Sequence, residues 1–185
     1  MLNRSPSPSL RITIPDGSAG TRETLKHMRQ LVQLGKQDQS NRDLANRIVM
    51  AAGVPQKDWR GELAALLDYV RNNVRYALDP NDIETIQGAA QTLALGYGDC
   101  DDFSVLLATL AECIGHPCCL VALGFSSPGN FEHVMTFASG AGETPWLGMD
   151  GTEAQPLGWF PPGAICEMVA PVSETAEGAL SRFWL

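Results

Sequence analysis

A cysteine, a histidine and an aspartate follow one another along the 185-residue chain at positions 100, 133 and 150, successive members lying 33 and 17 positions apart. These are the types that nucleophilic acyl transfer needs: a sulfur to attack a carbonyl, an imidazole to move its proton, and a carboxylate to hold the imidazole in one tautomer. Cys100 follows the Gly96-Tyr97-Gly98-Asp99 turn and opens an apolar run, with Asp99 placed as an N-cap and Asp102 three residues on as the capping-box partner. A thiol in a first helical turn meets unpaired backbone N–H groups and the positive end of the helix dipole, which favour thiolate. The Cys100 N–H is also placed to stabilise an oxyanion. Asp99, Asp101 and Asp102 act in the opposite sense, because like charges raise a thiol pKa. The expectation is that thiolate prevails and that Cys100 titrates below the ordinary thiol value of about 8.5.

The chain has three histidines. His27 lies among basic residues on a helical pattern, and His116 in a Gly-His-Pro turn. His133 lies in Phe131-Glu-His-Val-Met-Thr-Phe137, where alternation puts Phe131, His133, Met135 and Phe137 on one face, expected to be the core side. A single histidine among apolar residues is commonly a satisfied core side chain; its place in the series is what marks it. Asp150 ends the run Trp146-Leu-Gly-Met-Asp before Gly151, which is also ordinary turn chemistry.

The remaining cysteines, 113, 118, 119 and 166, complete an odd set of five, so a disulfide framework is not expected. His116 with Cys113, Cys118 and Cys119 matches no paired zinc knuckle, and adjacent strand residues point to opposite faces. No metal or cofactor is expected, and Cys166 reads as core. Trp146 and Trp159 flank Asp150 and are placed to wall a substrate groove or to pack the core.

The elements that must position these residues are legible in the spacing. Residues 1–20, with Pro6, Pro8, Pro15 and Gly17, read as an extended arm. Residues 21–56 read as two amphipathic helices, one from Thr21 through Leu25, Met28, Leu31 and Val32, one from Ser40 or Asn41 to Gly53. A third, about Asp58 to Asn73, buries Trp59, Leu63, Leu66, Leu67 and Val70. After a loop-rich stretch comes Cys100 to Ile114, apolar on most sides and therefore a buried central helix. Strand-like runs follow at 118–125, 131–138, 146–149 and 164–169. Helices followed by an antiparallel meander make an α+β fold, with a core over 57–170 and a tail over 171–185.

The net charge of −8 is unevenly spread. Residues 1–75 carry 12 of the 13 Lys and Arg against 7 acids, and residues 76–181 carry 14 acids and no Lys or Arg. A nucleic-acid site in the second half is therefore excluded, and cationic substrates are favoured there. The longest apolar stretch, 103–115, contains Thr109 and Glu112 and is too short to span a bilayer. The N-terminus shows no apolar signal core, which points to a cytoplasmic location.

The sequence resembles the transglutaminase-like branch of the papain-like cysteine hydrolase fold. The resemblance rests on Gly98-Asp-Cys-Asp-Asp-Phe-Ser104, the Leu-rich helix ending in Gly115-His-Pro117, His133-Val134 and Trp146-Leu-Gly-Met-Asp-Gly-Thr152, with Trp59, Arg75-Tyr76 and Asp79-Pro80 upstream. It is most similar to the compact cysteine peptidases of this kind encoded by phages and prophages. The resemblance implies Cys100 as nucleophile, His133 as general base and acid, and Asp150 as its orienter, acting on a protein or peptide substrate. It implies a second oxyanion donor besides the Cys100 N–H, for which Gln91, Gln87 and Trp59 are candidates. The alternative it carries is a phage structural or morphogenesis protein that keeps the fold as an interaction module, meeting other phage proteins through its N-terminal arm.

Overall fold

The computed structural model describes residues 15–78, 85–140 and 145–177. Three helices come first: α1 (Gly17–Gln37), α2 (Gln39–Ala51) and α3 (Trp59–Asn73). α1 begins one turn before the expected Thr21, because Gly17 at φ 67° lets the chain turn in after Asp16 and Thr21 Oγ1 then donates to the Gly17 carbonyl. Residues 17–20, expected in the arm, therefore belong to the helix, while the arm over 1–14 lies outside the described residues. Asp38 caps α2 by accepting from the Ser40 N–H, and Asp58 caps α3 by accepting from the Gly61 N–H.

The stretch read as loop contains order. Strand β1 (Arg75–Tyr76) pairs in parallel with β2 (Tyr97–Gly98), and the one-turn-plus helix α4 (Ala89–Leu95) lies between them in sequence. Gly96, at φ 71°, ends α4 in the left-handed conformation that glycine adopts most cheaply. Gly98 then runs against the next helix so closely that a Cβ there would come within 2.6 Å of the Asp102 side chain.

Helix α5 (Cys100–Cys113) is the axis of the molecule, with every residue from Asp101 to Cys113 buried. α1, α2, α3 and α4 pack on it from one side and the sheet from the other. That sheet has the order β5-β4-β3-β6, from β3 (Cys118–Gly124), β4 (His133–Ser139), β5 (Trp146–Met149) and β6 (Cys166–Pro171), all antiparallel. β3, β4 and β5 form the expected meander; β6 crosses back to the free side of β3. Val172 and, in α6 (Glu174–Glu177), Ala176 are buried, so this part of the expected tail is packed.

The sheet is covered on both faces, and the larger core is not on the predicted side. Val134 and Ala138 join the cluster around α5, whereas Met135 and Phe137 face a smaller cluster with Cys119, Val121 and Leu123. Phe160, in the loop after β5, stacks at 6.0 Å on Phe137. β4 is apolar on both faces, so its alternation could not say which face held the central helix. Cys166, expected in the core, is half-buried at the start of β6 beside Gly124.

Candidate active site

The mouth of α5 is built by its cap. The Asp99 carboxylate accepts from the Asp101 N–H at 3.1 Å, and Asp102 reaches back to the Asp99 N–H at 3.3 Å, completing the capping box. Asp102, fully buried, also accepts from the Gln87 N–H at 2.6 Å and so ties the approach segment to the helix. One turn below Cys100, the Ser104 hydroxyl donates to the Val134 carbonyl at 3.1 Å and the Thr136 hydroxyl donates to the Ser104 carbonyl at 2.9 Å. This reciprocal pair sets the height of α5 against β4. Cys100 consequently meets the backbone N–H of Val134, the residue after His133.

β4 and β5 bring the other two residues together. Their register pairs Thr136 with Met149; continued past the ends of the strands, it sets Thr152 across from His133 and Asp150 diagonal to it. His133 Nε2 lies 2.8 Å from Asp150 Oδ2, with the Asp150 side chain 2% exposed and the His133 side chain 18%. The second carboxylate oxygen accepts from the Thr152 N–H at 2.9 Å and from its hydroxyl at 2.8 Å. Asp150 thus has both oxygens engaged, and His133 is left with Nδ1 for another partner. The turn can approach α5 because position 151 is glycine: a Cβ there would lie 2.5 Å from Phe103.

Burial pushes the Asp150 carboxyl up, but the hydrogen bond and charge of His133 and the two Thr152 donors hold it below its ordinary value. The Cys100 thiol behaves otherwise. Burial first, then the charges of Asp101 and Asp99, push it well above the ordinary thiol range, and the Val134 N–H opposes them only in part. The neutral thiol donates to Asp101 Oδ1 at 3.7 Å. This departs from the expected resting thiolate: Asp101 is 6% exposed and so is not screened by solvent, and its charge acts with burial and with half-buried Asp99 to favour the thiol.

Arg71 of α3 was not singled out in the sequence. Its guanidinium donates a short hydrogen bond to the Asp150 carbonyl and lies in the field of the Asp150 and Glu153 carboxylates. Its signal was faint, since an arginine at the end of an amphipathic helix usually faces solvent. Thr152 and Tyr76 also belong to the site, the latter through its place beside Cys100 and its ring contact at 6.5 Å with Phe103.

The oxyanion candidates do not gather here. Trp59 starts α3 and packs against Gly140 beyond the far end of β4, seven residues and roughly 23 Å of strand from His133. Gln91 is exposed on α4. Trp146 packs in the smaller cluster at the opposite end of β5 from Asp150, while Trp159 lines the cavity beside His133. Gln87 alone stays close to the helix mouth, buried, with its side-chain oxygen unpartnered. His116 is buried and bonded through Nε2 to Glu62 at 2.7 Å, and Cys118 and Cys119 face opposite clusters, so these residues form no metal centre. Among the described residues, the group with metal-ligating atoms in mutual reach is Asp99, Cys100 and Asp101, within 4.8 Å.

Solved structures share this architecture. A candidate protease from Parabacteroides distasonis superposes with a TM-score of 0.52 at 14% identity, over 72% of this chain and 27% of that one. The chain thus spans about a quarter of that protein's length. Calcium-bound LapG of Legionella pneumophila gives 0.51 at 14% identity, over 86% of this chain and 98% of that one. A candidate cysteine protease from Cytophaga hutchinsonii gives 0.47 at 19%, over 71% and 50%. No curated protein matches the sequence. Residues 42–150, more than half of the chain and the stretch that carries all three site residues, match the transglutaminase-like superfamily, and the chain belongs to that superfamily.

Proposed function

We propose that the protein is a cysteine-dependent acyl-transfer enzyme that acts on amide bonds of a protein or peptide, with Cys100 as nucleophile, His133 as general base and acid, and Asp150 as the group that orients His133. The observation that carries this reading is the 2.8 Å contact from His133 Nε2 to a doubly anchored Asp150, with the Cys100 sulfur at the mouth of α5 meeting the backbone N–H of the next residue along β4, Val134. Because the resting thiol is neutral, the proton moves as the bond forms. His133 takes it from sulfur while sulfur attacks the carbonyl carbon, and the carbonyl oxygen gathers negative charge beside the Cys100 N–H. Collapse of that intermediate breaks the C–N bond, and His133 returns the proton to the leaving nitrogen. A thioester on Cys100 remains. Water, or an amine, attacks it with His133 again as base, giving hydrolysis or transamidation. Gln87 is the second oxyanion donor that best fits this account, by its place at the helix mouth.

Acylation of the protein by an activated ester tests the reading. One acyl group per chain, on Cys100 and absent from Cys100→Ala, is the expected result. A chain that keeps the fold only as a binding module, including one that meets phage structural partners, gives no Cys100-dependent acylation.

A second reading concerns calcium, because one neighbour in fold is calcium-bound and because Asp99 and Asp101 flank the thiol with two carboxylates. Calcium takes six to eight oxygen ligands, so these two acids fit as the charged part of such a shell with water completing it. Bound there, the ion supplies positive charge against the carboxylates that hold the thiol protonated. Calcium added to chelator-treated protein should then lower the pH at which Cys100 becomes alkylable, and magnesium should not; an unchanged titration removes this reading.

A further inference from the structure

Beside His133 the structure opens a cavity of about 350 Å³, with His133 and Asp150 on one side and Tyr76, Phe125, Trp159 and Glu153 among the walls. Cys100 is not among the residues around it. That placement is informative once the order of proton transfers is considered. His133 protonates the leaving nitrogen, so the part of the substrate bonded to that nitrogen must lie on the imidazole's side of the sulfur. Three aromatic side chains suit a chain of methylenes, and an aromatic ring attracts a cation placed above it. Glu153 is exposed and places a carboxylate on the same cavity. Arg71 bonds the Asp150 carbonyl and lies in the field of the Asp150, Asp68 and Glu153 carboxylates, so one guanidinium faces several acids. Tyr76 stays neutral, its pKa raised by burial first and then by the charges of Asp99 and Asp101.

Resting on the acyl-transfer reading above, we infer that this cavity is the subsite for the residue on the leaving-amine side of the scissile amide, and that it selects a basic side chain, arginine or lysine, through Glu153 and the aromatic walls. The charge asymmetry of the chain points the same way, but this is a local claim about one carboxylate and one side of the bond.

Capture of an acyl-enzyme by amino-acid amides reads the subsite directly, because the attacking α-amine occupies the place of the leaving nitrogen. The protein is acetylated on Cys100 with p-nitrophenyl acetate in the presence of the α-amides of arginine, leucine or glutamic acid. In each case the amine nitrogen bonds to the acetyl carbon, the C–S bond breaks, and the proton lost by nitrogen passes through His133 to the departing sulfur. Argininamide is expected to capture the acetyl group roughly tenfold better than leucinamide, with the glutamic acid amide poorest. Glu153→Gln should remove most of the advantage of arginine and Glu153→Lys should reverse the order, with unchanged circular dichroism in both. Acetylation of Cys100 followed by equal capture of the three amides, or by an order that Glu153→Lys does not alter, overturns this inference and leaves the acyl-transfer reading standing. Absence of any acetyl group on Cys100 overturns both.

Discussion

At the scale of single residues, the chemistry depends on a carboxylate held low and a thiol held high. Asp150 is depressed in the folded protein, so its contribution to stability is present above the ordinary aspartate value and is lost as pH falls through its lower folded value. Thermal melting should therefore drop below about pH 4 in the wild type and change less over that range in Asp150→Asn; parallel pH profiles for the two would contradict this. For Cys100, the rate of alkylation by iodoacetamide should rise only above the ordinary thiol pKa of about 8.5, because burial and the Asp101 and Asp99 charges oppose ionisation. A plateau reached by pH 7 would show the helix terminus prevailing after all. Arg71 acts on the triad through Asp150 and is a positioning residue. Removing its charge in Arg71→Met should carry the acidic limb of kcat/KM to higher pH, whereas Arg71→Lys should hold the limb in place; identical limbs in all three proteins would reduce Arg71 to a structural support.

At the scale of elements, the site exists because α5 and β4 are locked in one register. Ser104 and Thr136 exchange hydrogen bonds with each other's strand or helix backbone one turn below the sulfur. The double variant Ser104→Ala, Thr136→Val should cost about 1 to 3 kcal/mol in urea unfolding. It should also lower the acylation rate by more than it lowers the fraction folded; a loss of stability with undiminished acylation would show the register to be irrelevant to the chemistry. The helices were legible from the sequence because their apolar spacing is regular and Asp99 reads as a cap; the caps at Asp38, just before the expected start of α2 at Ser40 or Asn41, and at Asp58 came from the structure. The face of β4 was not, since a strand buried on both sides carries no alternation that names its partner. Equally, α4 was read as loop because a helix of seven residues leaves too short a periodic trace. The diagonal placement of Asp150 beside His133 was foreseeable from a meander, but Arg71, reaching in from α3 79 residues away in sequence, was not.

At the scale of the whole molecule, one helix carries the core and the nucleophile together. α5 contacts all the earlier long helices and the sheet, so truncation at its centre is felt everywhere. Leu107→Ala, at a fully buried position, should cost about 2 to 5 kcal/mol; a smaller loss would mean that neighbours collapse into the space. The same helix closes its far end with buried Glu112, which holds Lys36 at 2.6 Å, the Cys118 N–H at 2.9 Å and the Ser173 hydroxyl at 3.1 Å. α1, β3 and the segment after β6 are thereby fastened to the end opposite Cys100, and the mouth of the helix is left as the face where a substrate can enter. No helix among the described residues is long and apolar enough to cross a membrane. The measurement that bears most directly on the account is the burst of p-nitrophenolate on mixing with p-nitrophenyl acetate, followed in the wild type, Cys100→Ala, His133→Ala and Asp150→Asn. The account predicts about one equivalent per chain in the wild type, none in Cys100→Ala, and bursts slowed by roughly 10² to 10⁴ in His133→Ala and less in Asp150→Asn. A burst of wild-type rate in His133→Ala would contradict it.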